Sequence, residues 1–275
     1  MKTSLIQGSG EKLENNIFSL ENKTIIITGG SGHLGSSMAE SFVKYGARVY
    51  LASRNNDKNA DFSRYLANKY KTDVFYIKMD TNNSSSVKEA INHIMLKEKK
   101  IDVVVNNAYN GKTGEMLTGT ESDWMSSYDG SIHSTYRVIK EVLPIMVSQK
   151  SGSIINIASM YGVVSPNPYI YGESGQNSPP HYGSAKAAII HFTKYLAGHF
   201  GKEGIRVNCI SPGPFPNEQT QQHQKEFMAQ LCEKNPMGRI GKPEELQGIA
   251  VLLASDASSY ITGQNICVDG GWTIW

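Results

Sequence analysis

Short runs of apolar, β-branched residues alternate along the chain with stretches in which apolar positions recur every three or four residues. The short runs predict about seven strands: Thr24–Thr28, Arg48–Ala52, Val74–Met79, Ile101–Asn106, Ser153–Ile157, Ile205–Ile210 and Asn265–Val268. The periodic stretches predict helices near residues 35–45, 59–70, 84–98, 122–149, 182–200 and 243–254. Strands that are apolar throughout are typical of parallel sheets with helices on both faces. The pattern therefore predicts an α/β fold, a single-domain, doubly wound parallel sheet of the Rossmann type.

Three segments interrupt this alternation. Residues 1–20 are polar with scattered apolar positions, so we expect a tail or lead-in before a single domain over residues 21–275. The segments 163–181 and 212–224 are rich in turn-forming and amide residues, and each follows the end of a predicted strand. Ligands bind at the carboxyl ends of strands in open α/β sheets, so both are predicted substrate loops.

Composition and charge exclude several classes of protein. The 275 residues hold 27 Lys and Arg against 25 Asp and Glu, which gives no field that would attract nucleic acid or an anionic membrane. No apolar run approaches the ~18 residues of a membrane span, and the first residues lack the apolar stretch of a signal peptide. The three cysteines form no CxxC motif, so neither a disulfide framework nor a metal site is expected. We expect a cytoplasmic protein.

A glycine-rich segment, Thr28–Gly35 (TGGSGHLG), follows the first predicted strand and opens a helix. Glycines allow a tight turn and a close approach to a pyrophosphate, and the helix N-terminus offers free N–H groups to the anion. This context predicts a dinucleotide site; the simpler alternative is a turn that only joins strand to helix. The candidate contacts are Gly29, Ser31, Gly32, His33, Leu34 and Gly35.

The end of the second predicted strand indicates which dinucleotide is bound. An acidic residue there would bind the ribose hydroxyls of NAD, whereas an arginine would bind the 2′-phosphate of NADP. The chain has Ser53 and Arg54 at this place and no acid before Asp57. We therefore favour NADP over NAD; the alternative is that Arg54 stacks on adenine or faces solvent.

Tyr182 and Lys186 place a phenol and an ammonium one helical turn apart on the same face. Lowering a tyrosine pKa by about three units needs ~4 kcal/mol, and a lysine charge at ~4–5 Å supplies ~3–4 kcal/mol. The same spacing recurs inside two amphipathic helices, at Tyr65/Lys69 and Tyr136/Lys140. Only Tyr182 follows a buried strand that ends in a serine, Ser159, whose hydroxyl could bind a substrate carbonyl or simply form a turn.

Taken together, residues 20–272 resemble the short-chain dehydrogenase/reductase superfamily. The resemblance is carried by the glycine turn, Asn106-Asn107-Ala108, Ser159, Tyr182 with Lys186, Arg206-Val207-Asn208, Pro212-Gly213, Pro243-Glu244-Glu245, Tyr260-Ile261-Thr262-Gly263 and Val268-Asp269-Gly270-Gly271. It implies NAD(P)-dependent interconversion of a carbonyl and an alcohol. Tyr182 would be the general acid/base, Lys186 would lower its pKa and bind the nicotinamide ribose, and Ser159 would orient the substrate. The further cofactor contacts it implies are Asp80, Thr81, Asn107, Ala108, Pro212 and Gly213.

The chain departs from the superfamily pattern at four places. The glycines are spaced TGxxGxxG rather than TGxxxGxG, so His33 stands where the middle glycine is expected. Tyr109 replaces a glycine, and Ser131 stands where the resemblance implies a catalytic asparagine, which would alter the proton relay beside the lysine. Ser159 and Tyr182 are 23 residues apart, so the segment between them carries an insertion.

The insertion and the later loop are polar, which favours a hydroxyl-rich ligand over a steroid or an acyl chain. The insertion, Pro166–Pro180, holds Tyr169, Tyr171, Glu173, Gln176 and Asn177, and the later loop holds Asn217, Glu218, Gln219 and His223. The enlarged insert is similar to that of short-chain dehydrogenases linked to bacterial surface-sugar and flagellin-modification pathways. A sugar, a sugar phosphate and a nucleotide sugar all remain open as substrates.

The resulting hypothesis is an oxidoreductase that acts on a small polar, sugar-type substrate through Tyr182. One alternative is a non-catalytic dinucleotide-binding or sensing protein, motivated by Tyr109 and Ser131. Another is a cofactor-recycling epimerase or dehydratase, motivated by the glycine spacing. The resemblance also implies a homo-oligomer, either a tetramer or a dimer. The apolar end, Trp272–Trp275, favours either an interface or packing on its own core.

Overall fold

The apolar runs form the strands of one parallel sheet, in a computed structural model that describes residues 16–275. The seven strands lie in the order β3-β2-β1-β4-β5-β6-β7, and every neighbouring pair is parallel. They are β1 (Thr24–Thr28), β2 (Arg48–Ser53), β3 (Phe75–Lys78), β4 (Val103–Asn106), β5 (Gly152–Ile157), β6 (Ile205–Pro212) and β7 (Asn265–Val268). The predicted doubly wound α/β fold is confirmed.

Helices cover both faces of this sheet. Within residues 16–275 they are α1 (His33–Lys44), α2 (Asn56–Tyr70), α3 (Ser84–Glu98), α4 (Glu121–Tyr128), α5 (Ser134–Gln149), α6 (Pro180–Phe200), α7 (Glu218–His223), α8 (Lys225–Lys234) and α9 (Gln247–Ala254). Consecutive parallel strands need a long crossover, and a helix supplies it.

The central strand explains why both faces are covered. All five residues of β1 are buried, and successive side chains of a strand point to opposite faces. Ile25 and Ile27 therefore pack in one core with Phe42 of α1, whereas Ile26 packs in the other with Ile91 of α3. Burying each such side chain stabilises the fold by roughly 1.5–3 kcal/mol.

The strand order reverses between β1 and β4, which pair directly although two strands separate them in the sequence. The crossovers from β1 and from β4 leave in opposite directions, so a crevice opens at their carboxyl ends. Ligands of open α/β sheets bind in such a crevice. The glycine turn and residues 107–109 both begin there.

The helical stretch predicted over 122–149 is interrupted. Five residues between α4 and α5, Asp129–His133, form a π-helical turn that carries Ser131. Thr120 and Asp123 cap the start of α4 with reciprocal hydrogen bonds. An extra residue in a helical turn bulges the backbone, and such bulges are frequent at functional sites.

The predicted loop 212–224 is partly regular. β6 continues to Pro212, and the side chain of Asn217 accepts a hydrogen bond from the Thr220 N–H at 2.9 Å, which caps α7. The following helix, α8, is absent from the sequence-based prediction, although Met228, Leu231 and Cys232 recur at helical spacing within its ten residues.

The start of the chain is partly described. Residues 1–15 of the predicted lead-in lie outside the described residues. Leu20 is fully buried in the core, and its N–H donates to the Tyr45 carbonyl at 2.9 Å. The last residues of the lead-in therefore pack against the end of α1.

Candidate active site

The glycine turn is locked to the end of β4 by one threonine and one asparagine. The Thr28 hydroxyl accepts hydrogen bonds from the N–H groups of Asn107 and Ala108, each at 3.0 Å. The Asn107 amide donates to the Thr28 and Gly29 carbonyls at 3.0 and 3.2 Å. These bonds fix the position of the glycine turn relative to the end of β4, beside the crevice between the two strands.

The turn has room for a backbone but for no extra side chain. Gly29 has a φ of +65°, a conformation that L side chains rarely adopt. A Cβ on Gly35 would lie 2.2 Å from the Gly29 carbonyl oxygen. The Ser31 hydroxyl donates to Asn59 at 2.7 Å, and Asn59 donates to the Leu51 carbonyl at 3.2 Å, which fastens the turn to β2. A pyrophosphate fits such a cradle, because backbone N–H groups at the start of α1 can approach it closely.

His33, the residue in the place of the expected glycine, is the first residue of α1 and is exposed. Its Nε2 lies 3.0 Å from the carbonyl oxygen of Phe215, to which the Nε2–H donates. His33 therefore joins the glycine turn to the loop after β6. Leu34 also lines the cavity beside the turn, as does Gly32.

The predicted adenosine contacts lie at the ends of β2 and β3. The Ser53 hydroxyl donates to the Asn55 carbonyl at 3.1 Å, and the Arg54 side chain is exposed. The Asp80 carboxylate accepts a hydrogen bond from the Asn82 N–H at 3.0 Å. The Thr81 carbonyl faces the Arg137 guanidinium at 3.4 Å. These groups edge the crevice on the side away from Tyr182.

Ser159, Tyr182 and Lys186 meet at the carboxyl end of β5. Together with the glycine turn, Tyr109, Pro212, Gly213 and Phe215 they line a cavity of about 440 Å³, called here the Tyr182 cavity. Lys186 is buried, and its Nζ donates to the Ile157 carbonyl at 2.8 Å. The Ser159 hydroxyl accepts a hydrogen bond from the Tyr161 N–H at 3.1 Å.

Burial shifts the pKa of both members of the pair. Burial raises the pKa of the Tyr182 phenol above its usual range, although the neighbouring Ser159 hydroxyl opposes the shift. Burial also lowers the pKa of the Lys186 ammonium to about 8. The Nζ points to a main-chain carbonyl and lies 5.7 Å from the centre of the Tyr182 ring. Burial therefore sets the direction of the Tyr182 shift in this arrangement, and the lowering of that pKa by Lys186 stays a prediction.

Tyr109 covers the pair from the end of β4. Its ring meets the Tyr182 ring edge-on, with 5.2 Å between the ring centres. The Lys186 Nζ lies 5.4 Å from the centre of the same ring, within range of a cation–π contact. Burial and the neighbouring Tyr182 raise the pKa of the Tyr109 phenol to about 12. Tyr109 therefore forms an aromatic wall over Tyr182 and Lys186.

Ser131 does not line the Tyr182 cavity. It lies buried in the π-helical turn, its hydroxyl has no hydrogen-bond partner among the described residues, and its carbonyl accepts from the Ser134 hydroxyl at 2.7 Å. The turn that carries Ser131 packs against α6, the helix of Tyr182 and Lys186, and the catalytic role of Ser131 stays a prediction.

The two predicted substrate loops enclose a second cavity of about 600 Å³, called here the loop cavity, which shares His33, Tyr109, Tyr182 and Phe215 with the first. Of the polar residues singled out in the loops, Tyr171, Gln176, Asn177 and Asn217 line it. Tyr169, Glu173, Glu218, Gln219 and His223 do not.

Several residues that line the loop cavity belong to no sequence motif. Tyr161, Lys112, Thr113 and Thr220 contribute hydroxyl or ammonium groups to the loop cavity, and Phe227 and Leu231 of α8 contribute an apolar wall. Phe227 stacks on Tyr171 with 5.6 Å between the ring centres. Only the tertiary arrangement reveals these residues, because α8 and residues 111–113 lie far from Tyr182 in the sequence.

Pro212 and Gly213 approach the Tyr182 cavity from β6. The Gly213 N–H donates to the Val268 carbonyl at 3.0 Å, and a Cβ on Gly213 would lie 2.5 Å from the Asp269 Cα. The described residues contain no cluster of side chains that could hold a metal ion and no helix that could cross a membrane. The expected cytoplasmic location stays a prediction.

Comparison with known proteins shows that this chain is similar to named oxidoreductases. A family model described as enoyl-(acyl carrier protein) reductase matches residues 31–273. The 3-oxoacyl-(acyl-carrier-protein) reductase FabG of Chlamydia trachomatis is 35% identical over 252 residues, which are 92% of this chain and 98% of that protein. The 7alpha-hydroxysteroid dehydrogenase of Bacteroides fragilis is 33% identical over 263 residues, 92% of this chain and 95% of that protein.

Solved structures resemble the whole described fold. A gluconate 5-dehydrogenase from Burkholderia cenocepacia, in complex with NADP and tartrate, gives a TM-score of 0.85 at 27% identity, covering 94% of this chain and 98% of that one. The RhlG/NADP complex of Pseudomonas aeruginosa also gives 0.85, at 28% identity, covering 94% of this chain and 99% of that one.

Proposed function

Because the chain belongs to the short-chain dehydrogenase/reductase superfamily and is an NAD(P)-binding oxidoreductase of CH–OH and C=O groups, we propose that its substrate is a small, polar, hydroxyl-rich carbonyl or alcohol and its cofactor NADP. One observation carries the proposal. A hydroxyl, a phenol and an ammonium, on Ser159, Tyr182 and Lys186, line one cavity that continues into a second cavity with mostly polar and aromatic walls.

The chain's own residues would divide the proton chemistry among them. During reduction the Tyr182 hydroxyl donates its proton to the substrate oxygen, and during oxidation the phenolate removes it. The Ser159 hydroxyl donates a hydrogen bond to the same oxygen and fixes its place. The Lys186 ammonium stabilises the phenolate that remains. Bound NADP(H) would supply or accept the hydride.

The cofactor would lie along the crevice between β1 and β4. The backbone of residues 29–35 would hold the pyrophosphate, and Asn107 and Ala108 would line the crevice opposite the turn. Lys186 would bind a ribose hydroxyl, and Asp80 and Thr81 would contact the adenine. The exposed Arg54 guanidinium has the freedom to meet a 2′-phosphate.

Replacing Arg54 by alanine is expected to weaken NADP binding about tenfold or more, the effect of losing a charged hydrogen-bond pair. Binding of NAD should not change, because NAD has no 2′-phosphate. Fluorescence titration with both dinucleotides measures the effect. Arg64→Ala, a surface arginine of α2 whose guanidinium pairs with Asp61 at 3.2 Å, is the control. Equal losses for NAD and NADP would contradict the NADP assignment.

The walls of the loop cavity support a polar substrate. Amide and hydroxyl groups from Gln176, Asn177, Asn217 and Thr220 face a space that aromatic rings also line, a combination that suits a sugar ring or a polyol. Apart from tyrosines, the ionisable side chains that line the loop cavity are Lys112 and His33. No Asp or Glu of residues 16–275 lines this cavity. A substrate with carboxylate or phosphate oxygens would meet no acidic group there.

Oxidation of NADPH, followed by absorbance, tests this substrate class. Fructose and ketogluconates are expected to give kcat/KM values about tenfold or more above those for a steroid ketone or acetoacetyl-coenzyme A, because polar walls left unpaired by an apolar ligand cost binding energy. A preference for the steroid ketone or the thioester would overturn the proposal.

We further propose a homo-oligomer that forms through α5 and α6. Tyr136 and Tyr195 are about half exposed there, beside a concave apolar surface that Ile132, Ala188 and Phe192 also line. Ile274 and Trp275 are exposed as well, although Trp272 packs with Met160 and Leu231. Exposed apolar surface of this kind is typical of an interface. Sedimentation velocity that returned a stable monomer would contradict this proposal.

The two alternatives find no support of their own. The chain is similar to named oxidoreductases along its length. Ser159, Tyr182 and Lys186, which a catalyst would need, line one cavity. The described residues form one seven-stranded sheet without a second domain that would hold the substrate of an epimerase.

A further inference from the structure

We propose that Tyr109 is a specificity-determining residue, whose ring limits one of the two groups on the reacting carbon to a hydrogen, a methyl or a hydroxymethyl. The reacting carbon would then lie at the end of the substrate's carbon chain or next to that end. The inference rests on the proposed function, because it concerns the carbon whose oxygen meets Tyr182. Tyr109 stands where the superfamily pattern has a glycine, so the ring is a feature of this chain.

The Tyr109 ring bounds the space in which the substrate would react. Its centre is 5.2 Å from the centre of the Tyr182 ring and 5.4 Å from the Lys186 Nζ. To transfer a proton, the Tyr182 hydroxyl must come within about 2.6–3.2 Å of the substrate oxygen. That oxygen is bonded to the reacting carbon, so this carbon and its two substituents must also find room beside the Tyr109 ring.

The two substituents of the reacting carbon have unequal room. Tyr109 lines both the Tyr182 cavity and the loop cavity, so a long substituent can extend past its ring into the loop cavity. The other substituent stays in the Tyr182 cavity, which has a volume of about 440 Å³ and would also take the nicotinamide end of the cofactor. A closely filled space disfavours an added methylene, because neighbouring groups must shift to make room for it.

The position of Tyr109 is fixed from several sides. Ala108, the residue before it, is bonded to the glycine turn. The N–H of Asn110, the residue after it, donates to the Gly130 carbonyl at 3.0 Å. A Cβ on Gly111 would collide with the hydroxyl and ring of Tyr109, so the phenol lies directly over that glycine. A substituent that presses on the ring therefore meets a supported wall.

Turnover of three hydroxyketones with NADPH tests the inference: 3-hydroxy-2-butanone, 2-hydroxy-3-pentanone and 2-hydroxy-3-hexanone. One group on the carbonyl carbon grows in this series from methyl to ethyl to propyl, while the hydroxyethyl group on the other side stays the same. The kcat/KM of the unmodified protein is expected to fall about tenfold or more from the methyl to the propyl ketone, the range for overpacking a filled space.

Two substitutions at the same position separate the ring from its hydroxyl. Tyr109→Ala should remove most of the fall in kcat/KM, because the wall is gone. Tyr109→Phe should keep the fall, because the ring remains and the phenol is uncharged at neutral pH, its pKa being raised to about 12 by burial and by Tyr182. Tyr109→Leu, which also shortens the wall, replaces Tyr109→Ala if that variant does not fold.

Tyr169→Ala is the matched control. Tyr169 is 85% exposed in the insertion and lines neither the Tyr182 cavity nor the loop cavity. This variant should leave the ratio of the kcat/KM values for the methyl and propyl ketones unchanged. Fluorescence titration with NADPH shows whether any of the variants has lost cofactor binding instead.

A fall that survives in Tyr109→Ala or its replacement, or that disappears equally in Tyr169→Ala, overturns the inference. An equal loss of turnover for all three ketones in Tyr109→Ala also overturns it, because the ring then only supports the site. Turnover without any effect of substituent size overturns the inference while the proposed function stands.

If no ketone is turned over, calorimetric titration of the NADP-loaded protein with the same series decides the matter. Affinity that falls with substituent size and recovers in Tyr109→Ala supports the size limit while the proposed function fails. Affinity that does not depend on size, or the absence of binding, overturns the inference as well.

Discussion

Replacement of Tyr182 by phenylalanine is expected to lower kcat by about 10²–10⁴-fold, the contribution of a positioned general acid or base. The variant loses one oxygen atom and keeps the ring, which still meets Tyr109 edge-on. Cofactor binding should therefore change little, and fluorescence titration with NADPH checks this beside steady-state turnover. A large loss of turnover with intact NADPH binding identifies the phenol as the proton donor.

The chain supplies a matched control for this variant. Tyr65 has the same spacing to Lys69 as Tyr182 has to Lys186, and its hydroxyl accepts a hydrogen bond from the Lys69 Nζ at 3.2 Å. It lies exposed on α2, far from the crevice end that holds Ser159. Tyr65→Phe should leave turnover unchanged. Full activity in Tyr182→Phe would remove the assignment of the acid/base.

Lys186→Met is expected to have two opposite effects. It should lower kcat/KM by about 10²-fold or more, because the ammonium no longer stabilises the phenolate or holds the ribose. It should also stabilise the protein without cofactor at pH 7. Burial lowers the lysine pKa from 10.5 to about 8, so the folded chain disfavours the charge that the unfolded chain accepts in water.

The sign and the pH range follow from linkage. Below pH 8 both states carry the proton, and the full cost of the buried charge, on the order of 3 kcal/mol, opposes folding. Between pH 8 and 10.5 the unfolded state binds more protons than the folded state, so the stability of the unmodified protein rises with pH. The advantage of Lys186→Met should shrink over that range.

Urea unfolding at several pH values measures this stability, and NADPH oxidation measures the activity. Lys69→Met serves as the control, since its ammonium is exposed and bound to Glu40 at 2.6 Å. A Lys186→Met protein that is less stable than the parent at pH 7 would show that the ammonium is not a destabilising buried charge.

The sheet could be predicted because its signals are local. The run TIIIT has three successive isoleucines between its two threonines, so no alternating polar face can form and a strand buried on both faces is predicted for residues 24–28. Glycines between that strand and the next helix predict the turn for the same kind of reason. A Cβ at residue 35 collides with residue 29, six positions away in the chain.

The candidate site was predictable only in part. Spacing places Tyr182 and Lys186 on one helix face, and the strand before them brings Ser159 to the same edge. The π-helical turn at Ser131 has no signal in the periodicity, since one extra residue in a helical turn hardly changes the pattern. The contact between the Tyr109 and Tyr182 rings could not be predicted either, because it depends on the position of the end of β4 relative to α6.

The amino-acid pattern alone predicts the strands, most of the helices, the parallel sheet with its glycine turn, and the three candidate groups Ser159, Tyr182 and Lys186. Each of these depends on residues close in the chain, where periodicity and backbone sterics act directly. Only the folded arrangement shows the direction in which burial shifts the pKa of Tyr182 and of Lys186, and which residues of α8 wall the loop cavity. Those properties depend on burial and on contacts between segments far apart in the chain, and no local pattern records them.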